Sequence, residues 1–294
     1  DSDKGLDVAS DMSVVSLDTS DALVEAQLSE IMSVPRDTAP VSTARELQRA
    51  AKICAESKQA VISMFQEARM GKAIDVGGAQ QMVEEITDSV ARNPGALISL
   101  ARLKTVDDYT YMHSVAVCAL MVALARQLKL DDEQTRAAGM AGLLHDLGKI
   151  ATPMVVLKKP SRLTDQEFDV VRNHSASGYQ ILKKSGNLPE AVLDACLHHH
   201  EKMDGSGYPD RLQGEQISLF ARMGAVCDVY DAITSDRPYK RDGDPAESLS
   251  RMAEWTKDHF DARIFQAFNG HALQRAEVVR QQRLAPAPVC RHVG

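Results

Sequence analysis

Apolar residues recur along most of the chain at the spacing of amphipathic helices, and no segment shows a convincing β-strand alternation. A long helix is predicted to begin at Thr43, where Glu46 completes the form of a capping box, and to end near residue 71. A second helix is predicted over residues 78–91, and a third after an Asn-Pro-Gly turn. From residue 97 to residue 268 nearly every segment has a helical pattern. The predicted fold class is therefore all-α.

Histidines interrupt the apolar face of a helix predicted within residues 189–201. The stripe that starts at Val192 continues onto His199 and His200 at the spacing of one helical face. His198 falls on the opposite side of that helix and is expected to be solvated. Two adjacent buried imidazoles without partners would be costly. A metal ion is the commonest way to satisfy them.

The same interruption recurs in four other predicted helices, one of which is predicted to end at Lys149. The residues that turn inward there are His113, His145, His174 and Asp228. A lone histidine of this kind is usually a hydrogen-bonded core residue. Five coincident cases without an ion would leave the core badly frustrated, so the pattern favours a metal site. Imidazole and carboxylate ligands suit iron, manganese, zinc or nickel, and the sequence does not choose among them.

Composition narrows the class of protein. The chain has 294 residues and a formal net charge of −7, which argues against non-specific binding to DNA, RNA or anionic membranes. No apolar run is judged long enough to span a membrane and no secretory signal pattern opens the chain, so a cytoplasmic location is expected. The five cysteines are scattered without a CxxC pair, which fits reduced thiols rather than a zinc–thiolate or disulfide framework.

Four segments are predicted along the chain. Residues 1–40 are rich in Asp, Ser and Thr and are predicted to be a flexible linker. Residues 41–96 form an N-terminal helical region, 97–270 the metal-binding domain, and 271–294 a C-terminal tail. The N-terminal helices could mediate homodimerisation or couple to an upstream regulatory domain, but simple packing on the domain behind them is slightly preferred.

Three blocks of sequence resemble the HD-GYP domain, the branch of the HD phosphohydrolase superfamily associated with degradation of the bacterial second messenger cyclic di-GMP. The resemblance covers about residues 106–268. The blocks are His145-Asp-Leu-Gly-Lys149, His199-His-Glu-Lys-Met-Asp-Gly-Ser-Gly-Tyr-Pro209 and Asp228-Val-Tyr-Asp-Ala-Ile-Thr-Ser-Asp-Arg-Pro-Tyr-Lys240. A bare His-Asp pair would mean little, but three blocks in order are highly specific.

The resemblance implies an HD-type helical bundle with extra C-terminal helices that holds two divalent cations. Iron or manganese is preferred, with zinc, nickel or magnesium as alternatives. One ion would be bound by His113, His145, Asp146 and Asp228, and the other by Asp146, His174, His199 and His200. A water bridging the ions would be a hydroxide poised to attack phosphorus. Tyr109 stands where some family members carry a glutamate ligand for a third metal, and a phenol is a poor ligand at neutral pH, so two ions are expected.

The resemblance also implies roles in catalysis and substrate binding. Lys149 would act with Asp146 in catalysis by meeting phosphate charge or assisting the leaving oxygen, although a plain ion pair between the two residues is the alternative. The residues expected to contact substrate are Gly207, Tyr208, Pro209, Asp231, Arg237 and Lys240. For Arg237 and Lys240 the alternative is that they are solvated loop charges. For Asp231 the alternatives are a position behind the metal ligands or a role as a ligand of an extra metal.

The function that the resemblance implies is a metal-dependent phosphodiesterase that opens cyclic di-GMP to pGpG, with further cleavage to GMP left open. Two alternatives remain. One is an HD hydrolase acting on another nucleotide. The Gly-Tyr-Pro loop and the side chains of Arg237 and Lys240 argue against it. The other is a non-catalytic cyclic di-GMP receptor that signals to a protein partner, since intact ligands do not prove turnover.

Overall fold

The computed structural model describes residues 40–102, 104, 108–159, 161–235 and 245–270, and all regular structure in those ranges is helical. The α-helices in chain order are α1 (Thr43–Arg69), α2 (Val76–Arg92), α3 (Pro94–Ala101), α4 (Tyr109–Gln127), α5 (Asp132–Leu144), α6 (Met154–Leu157), α7 (Asp165–Arg172), α8 (His174–Ser185), α9 (Glu190–His198), α10 (Leu219–Thr234), α11 (Pro245–Glu254) and α12 over residues 262–270. Short 3-10 segments cover Leu147–Ala151, Gly214–Gln216 and Trp255–Lys257. The all-α prediction is confirmed. The predicted linker up to residue 39 and the predicted tail 271–294 lie outside the described residues.

The central helix is α4, in which every residue over 112–125 is buried. It packs against α5, where Gly142 allows a close approach because a Cβ there would lie 2.9 Å from the backbone nitrogen of Cys118. This contact brings His113 and His145 side by side, with ring centroids 5.1 Å apart. By length and composition α4 could cross a membrane, but 78% of its apolar window is buried inside the protein. Core helices meet the same criteria, so α4 is weak evidence for a membrane span.

The three N-terminal helices pack on α4 and α5 and belong to the same apolar core. In α3, Ala96 and Leu97 are both fully buried. The predicted boundary between an N-terminal region and the metal-binding domain therefore falls inside a helix of this shared core. The interpretation of these helices as simple packing, rather than as a dimerising or coupling element, stays a prediction.

The start of α1 differs from the prediction. Its N-cap residue is Ser42 rather than Thr43, and the Ser42 side chain makes no capping hydrogen bond; the Thr43 side chain lies outside the described residues. Glu46 is instead fully buried and accepts hydrogen bonds from Arg92 at 2.9 Å and from the Ser89 hydroxyl at 2.9 Å. The buried Glu46 carboxylate therefore links α1 to α2.

The candidate metal ligands cluster at helix ends. α5 ends one residue before His145, α9 ends one residue before His199, and α8 begins at His174. The helices predicted to reach Lys149 and Glu201 are therefore shorter than predicted. After α5 the chain turns into a 3-10 segment that packs on α8. These terminations let side chains from several helices point into one space.

Candidate metal centre

The structure brings all seven predicted metal ligands together. Two groups each offer ligand atoms that lie within 4.8 Å of one another, namely His113, His145 and Asp146, and His174, His199 and His200. Asp228, on α10, lies between the groups. Its Oδ1 is 3.0 Å from His113 Nε2 and its Oδ2 is 3.9 Å from His200 Nδ1.

Asp146 connects the two groups through its two carboxylate oxygens. Its Oδ2 lies 3.4 Å from His113 Nε2 and 3.3 Å from His145 Nε2, whereas its Oδ1 lies 3.3 Å from His174 Nε2. Each oxygen therefore faces one group. A carboxylate placed in this way can bridge two cations, as in two-metal hydrolases.

Backbone carbonyls fix the orientation of three of the histidines. Nδ1 of His145 donates to the Gly142 carbonyl at 2.8 Å, and Nδ1 of His174 donates to the Val171 carbonyl at 2.6 Å. His199 does the same with the Cys196 carbonyl at 2.9 Å. Because a carbonyl only accepts, each Nδ1 must carry the proton, and each Nε2 keeps its lone pair for a metal.

Two observations show that this donor set fits a cation. His145 Nε2 is buried and has no hydrogen-bond partner among the described residues. His174 Nε2 and His199 Nε2 face each other at 3.3 Å, with the protons of both rings already on Nδ1. Two facing lone pairs repel unless a positive charge lies near both of them. A divalent cation beside His145 and another between His174 and His199 would satisfy these nitrogens.

The electrostatics of the site favour neutral imidazoles in the group of His174, His199 and His200 and ionised carboxylates. His113 differs, because burial would lower its pKa but hydrogen bonds to Asp228 and Asp231 outweigh that effect and raise it. Burial, reinforced by the neighbouring imidazoles, lowers the pKa of His199 well below its usual range. Burial also lowers the pKa of His200 to about 3. Burial would raise the pKa of Asp146, but Lys149 and the surrounding histidines outweigh that effect and hold it well below its usual range. Neutral imidazoles around ionised carboxylates are the ligand state that divalent metals require.

Asp231 lies behind the ligands rather than in the substrate path. It is fully buried, its Oδ2 is 2.6 Å from His113 Nδ1, and its Oδ1 accepts a hydrogen bond from the Ser235 hydroxyl at 3.2 Å. Lys104 Nζ donates to the same Asp231 carboxylate and to Ser235 Oγ at 2.8 Å. Both oxygens are engaged away from solvent, an arrangement that favours the alternative weighed for Asp231, a position behind the metal ligands, over substrate contact.

Lys104 is a residue that the sequence analysis missed. Its side chain is fully buried and pairs with Asp231 across 127 residues of sequence. It lies outside all three motif blocks, and a single lysine before a helix carries no periodic signal. Only the fold shows that its charge neutralises the carboxylate that orients His113.

Removing that charge should weaken metal binding. We expect Lys104→Met to reduce affinity for Mn²⁺ at the centre by about 10- to 100-fold, the usual effect of losing a partner behind a metal ligand. Titration of metal-free protein with Mn²⁺ measures this. The matched control is Lys159→Met, which breaks the Lys159–Glu167 ion pair (2.7 Å) without touching the centre. Equal affinities in wild type and Lys104→Met would contradict the orienting role.

Lys149 forms an ion pair with Asp146 Oδ2, which matches the alternative weighed for it from sequence. Burial lowers its pKa, but the nearby Asp146 and Asp228 carboxylates outweigh that effect and raise it, so the ammonium stays charged. Its side chain is 24% exposed. The Lys149 ammonium therefore contacts the Asp146 carboxylate while part of the lysine side chain remains exposed to solvent.

The Gly-Tyr-Pro loop lies against the second ligand group. The Tyr208 ring packs on the His200 ring with centroids 4.8 Å apart. Gly207 is required here because a Cβ would lie 2.4 Å from the Glu201 Cα. The buried Glu201 carboxylate in turn accepts a hydrogen bond from the backbone of Asp210 at 2.7 Å. Pro209 belongs to this loop, whereas Arg237 and Lys240 lie outside the described residues.

His198 is not solvated as expected but anchors the loop. It is 9% exposed, and it bridges Asp194 Oδ1 at 2.7 Å and Asp210 Oδ2 at 2.9 Å. The helical pattern placed it correctly on the side away from the metal centre. It could not show that the loop after Pro209 folds back to cover that side.

Comparisons with known proteins agree with the helical site. A family model described as HD domain matches residues 85–264, and one described as a domain of unknown function (DUF3391) matches residues 2–79. The second range includes most of residues 1–40, and the assignment of those residues as a flexible linker stays a prediction. Among solved structures, Bd1817, an HDG"Y"P protein from Bdellovibrio bacteriovorus, aligns with a TM-score of 0.64 over 86% of this chain and 80% of that chain. At 18% identity this likeness shows the fold alone.

Two curated relatives are phosphodiesterases by name. The chain is 54% identical over 268 residues to cyclic di-GMP phosphodiesterase PA4108 of Pseudomonas aeruginosa, a match that covers 91% of this chain and 63% of that protein. It is 36% identical over 159 residues to 3'3'-cGAMP-specific phosphodiesterase 1 of Vibrio cholerae, which covers 53% of this chain and 36% of that protein. The chain thus spans less than two thirds of the length of either relative.

Proposed function

The chain belongs to the HD domain family, and from that premise we propose that it is a metal-dependent phosphodiesterase that hydrolyses cyclic di-GMP to pGpG. The observation that carries the proposal is the position of Asp146, with one carboxylate oxygen toward each of two histidine groups. The relative named as a cyclic di-GMP phosphodiesterase, at 54% identity over most of this chain, supports the choice of substrate.

The proposed mechanism assigns a role to each part of the site. His113, His145, Asp146 and Asp228 would hold one divalent cation, and Asp146, His174, His199 and His200 a second. Cations bound there supply Lewis acidity and an activated water. Asp231 holds the proton of His113 Nδ1 so that Nε2 faces the site. Tyr208 packs on His200 and would line the substrate site beside the second cation.

Lys149 has the geometry of a proton donor in this scheme. Its charged Nζ contacts Asp146 and is partly exposed at the site. When the P–O bond breaks, the leaving oxygen gains negative charge, which an ammonium can neutralise and then protonate. In a chain with a net charge of −7, such a placed cation is also needed to receive an anionic substrate.

The test is hydrolysis by protein loaded anaerobically with Mn²⁺ or Fe²⁺, with products separated by chromatography. We expect about two metal ions per chain and conversion of cyclic di-GMP to pGpG faster than any conversion of 3'3'-cGAMP. A preference for 3'3'-cGAMP, the substrate in the second relative's name, would move the assignment to another cyclic dinucleotide. Tight binding of cyclic di-GMP without product would favour a receptor, and the absence of bound metal would contradict the mechanism.

A further inference from the structure

A row of stacked side chains leads from the metal centre to the surface. Tyr208 packs on the candidate ligand His200, and the Arg172 guanidinium carbon lies 5.3 Å from the centroid of the Tyr208 ring. The same guanidinium carbon lies 4.5 Å from the centroid of the Phe168 ring, on α7. Phe168 is a large apolar residue that is 41% exposed, so the row ends in solvent.

The row holds the Arg172 guanidinium in one place, next to the Tyr208 ring that packs on His200. An arginine side chain normally samples many rotamers, and contact with two aromatic faces restricts them. Among the described residues Arg172 forms an ion pair with Asp169, at 3.6 Å, whose side chain is 72% exposed. Such an exposed pair contributes little. The Arg172 side chain is itself 47% exposed, so its N–H donors remain available to a ligand.

The chemistry of the proposed substrate requires a second cationic contact. A cyclic dinucleotide carries two phosphodiesters, and only one of them can lie at the metal centre at a time. The other keeps its charge and must be received by an acidic protein. A guanidinium offers parallel N–H groups that match two phosphate oxygens, a fit that a lysine lacks.

We propose that Arg172, held by Phe168 and Tyr208, binds the non-reacting phosphate of the cyclic dinucleotide. The assignment rests on the proposed function and adds a substrate-binding residue outside the three motif blocks. Arg172 would fix the distance between the two phosphates, so that one reaches the metal centre when the other is bound. It would therefore favour substrates with two phosphodiesters over those with one.

Two substrates separate this role from a general effect on the enzyme. Cyclic di-GMP has both phosphates, whereas bis(p-nitrophenyl) phosphate has only a reacting one. We expect Arg172→Met to raise the KM for cyclic di-GMP by about 10-fold or more, the usual effect of losing a charge-assisted hydrogen bond, with little change in kcat. Hydrolysis of bis(p-nitrophenyl) phosphate should be unchanged. Arg172→Lys should recover part of the loss, because it keeps the charge without the planar fork.

The matched control is Lys183→Met. Lys183 also lies over an aromatic ring, that of Tyr179 at 5.4 Å, but on the later part of α8. It should leave both substrates unaffected. Unchanged KM for cyclic di-GMP in Arg172→Met, or equal losses on both substrates, would overturn the proposal.

The proposal can fail separately from the proposed function. If the wild type hydrolyses neither substrate, the phosphodiesterase assignment fails, and Arg172 is then tested by equilibrium binding of cyclic di-GMP to the metal-loaded protein. Weaker binding by Arg172→Met than by Lys183→Met would support the phosphate contact. Equal binding by the two variants would reject it.

Discussion

Asp146→Asn should lower kcat/KM for cyclic di-GMP by on the order of 1,000-fold or more, since the bridging ligand contributes to both cation sites at once. Asparagine keeps the volume of the side chain but replaces one of the two oxygens that face His174 and His113 with an amide NH₂. An NH₂ group donates hydrogen bonds and does not bind a cation. The side chain also loses the negative charge that offsets the charge of two ions. Steady-state kinetics on anaerobically loaded protein measures the loss.

A second readout shows whether the loss comes from metal binding. Ligands that bind only the folded state raise the melting temperature. Saturating Mn²⁺ should therefore stabilise the wild type and should have a much smaller effect on Asp146→Asn. Asp132→Asn, at the exposed start of helix α5, is the matched control and should behave as wild type. Full activity in Asp146→Asn would contradict the bridging role.

Much of this centre was accessible from the sequence for a physical reason. Core-facing helical positions are apolar by default, so the histidines at 113, 145, 174, 199 and 200 stand out as exceptions that require an explanation. The structure places all of them around Asp146. The periodic pattern identifies which side of a helix a residue occupies and so marks the inward histidines, whereas their grouping around two ions came from the family resemblance and stays a prediction.

Other parts of the site depend on contacts between distant segments. Lys104 and Asp231 are 127 residues apart, and Arg172 meets Tyr208 across 36 positions that include helices α8 and α9. Lys104 and Arg172 each look like an ordinary surface charge in their own segments. His198 shows the same limit, because its partner Asp210 comes from a loop that folds back. Pairing of this kind carries no local periodicity, so it appears only once the fold is known.

The periodic pattern also did not predict where the helices end, and Gly148 shows the reason. Helical spacing continues past Leu144, yet the chain leaves α5 and forms a 3-10 segment against α8. A Cβ at Gly148 would lie 1.8 Å from the His174 carbonyl oxygen and 2.4 Å from the Gly178 nitrogen. The two backbones thus touch, and this contact sets the separation of Asp146 and His174.

Gly148→Ala should therefore damage the metal centre without changing any ligand. The atoms that the new methyl group meets belong to the backbone, so α8 must move away. Overpacking of this kind costs about 1–3 kcal/mol or more of the free energy of unfolding. A shift of about 1 Å between Asp146 and His174 would lower activity by roughly 100-fold. Thermal unfolding and Mn²⁺ titration measure the two effects separately.

The control for Gly148→Ala is a glycine that has room for a side chain. Gly77 lies in the first turn of α2, and a Cβ there would meet only the Asp75 carboxylate at an ordinary 3.5 Å. Gly77→Ala should leave metal affinity unchanged and should stabilise the protein by about 0.5–1 kcal/mol, because alanine favours the helix. If Gly148→Ala behaved like Gly77→Ala, the backbone contact with α8 could not be what positions Asp146 against His174. Reduced metal affinity in Gly148→Ala alone would show that the glycine after the His-Asp pair acts through packing rather than chemistry.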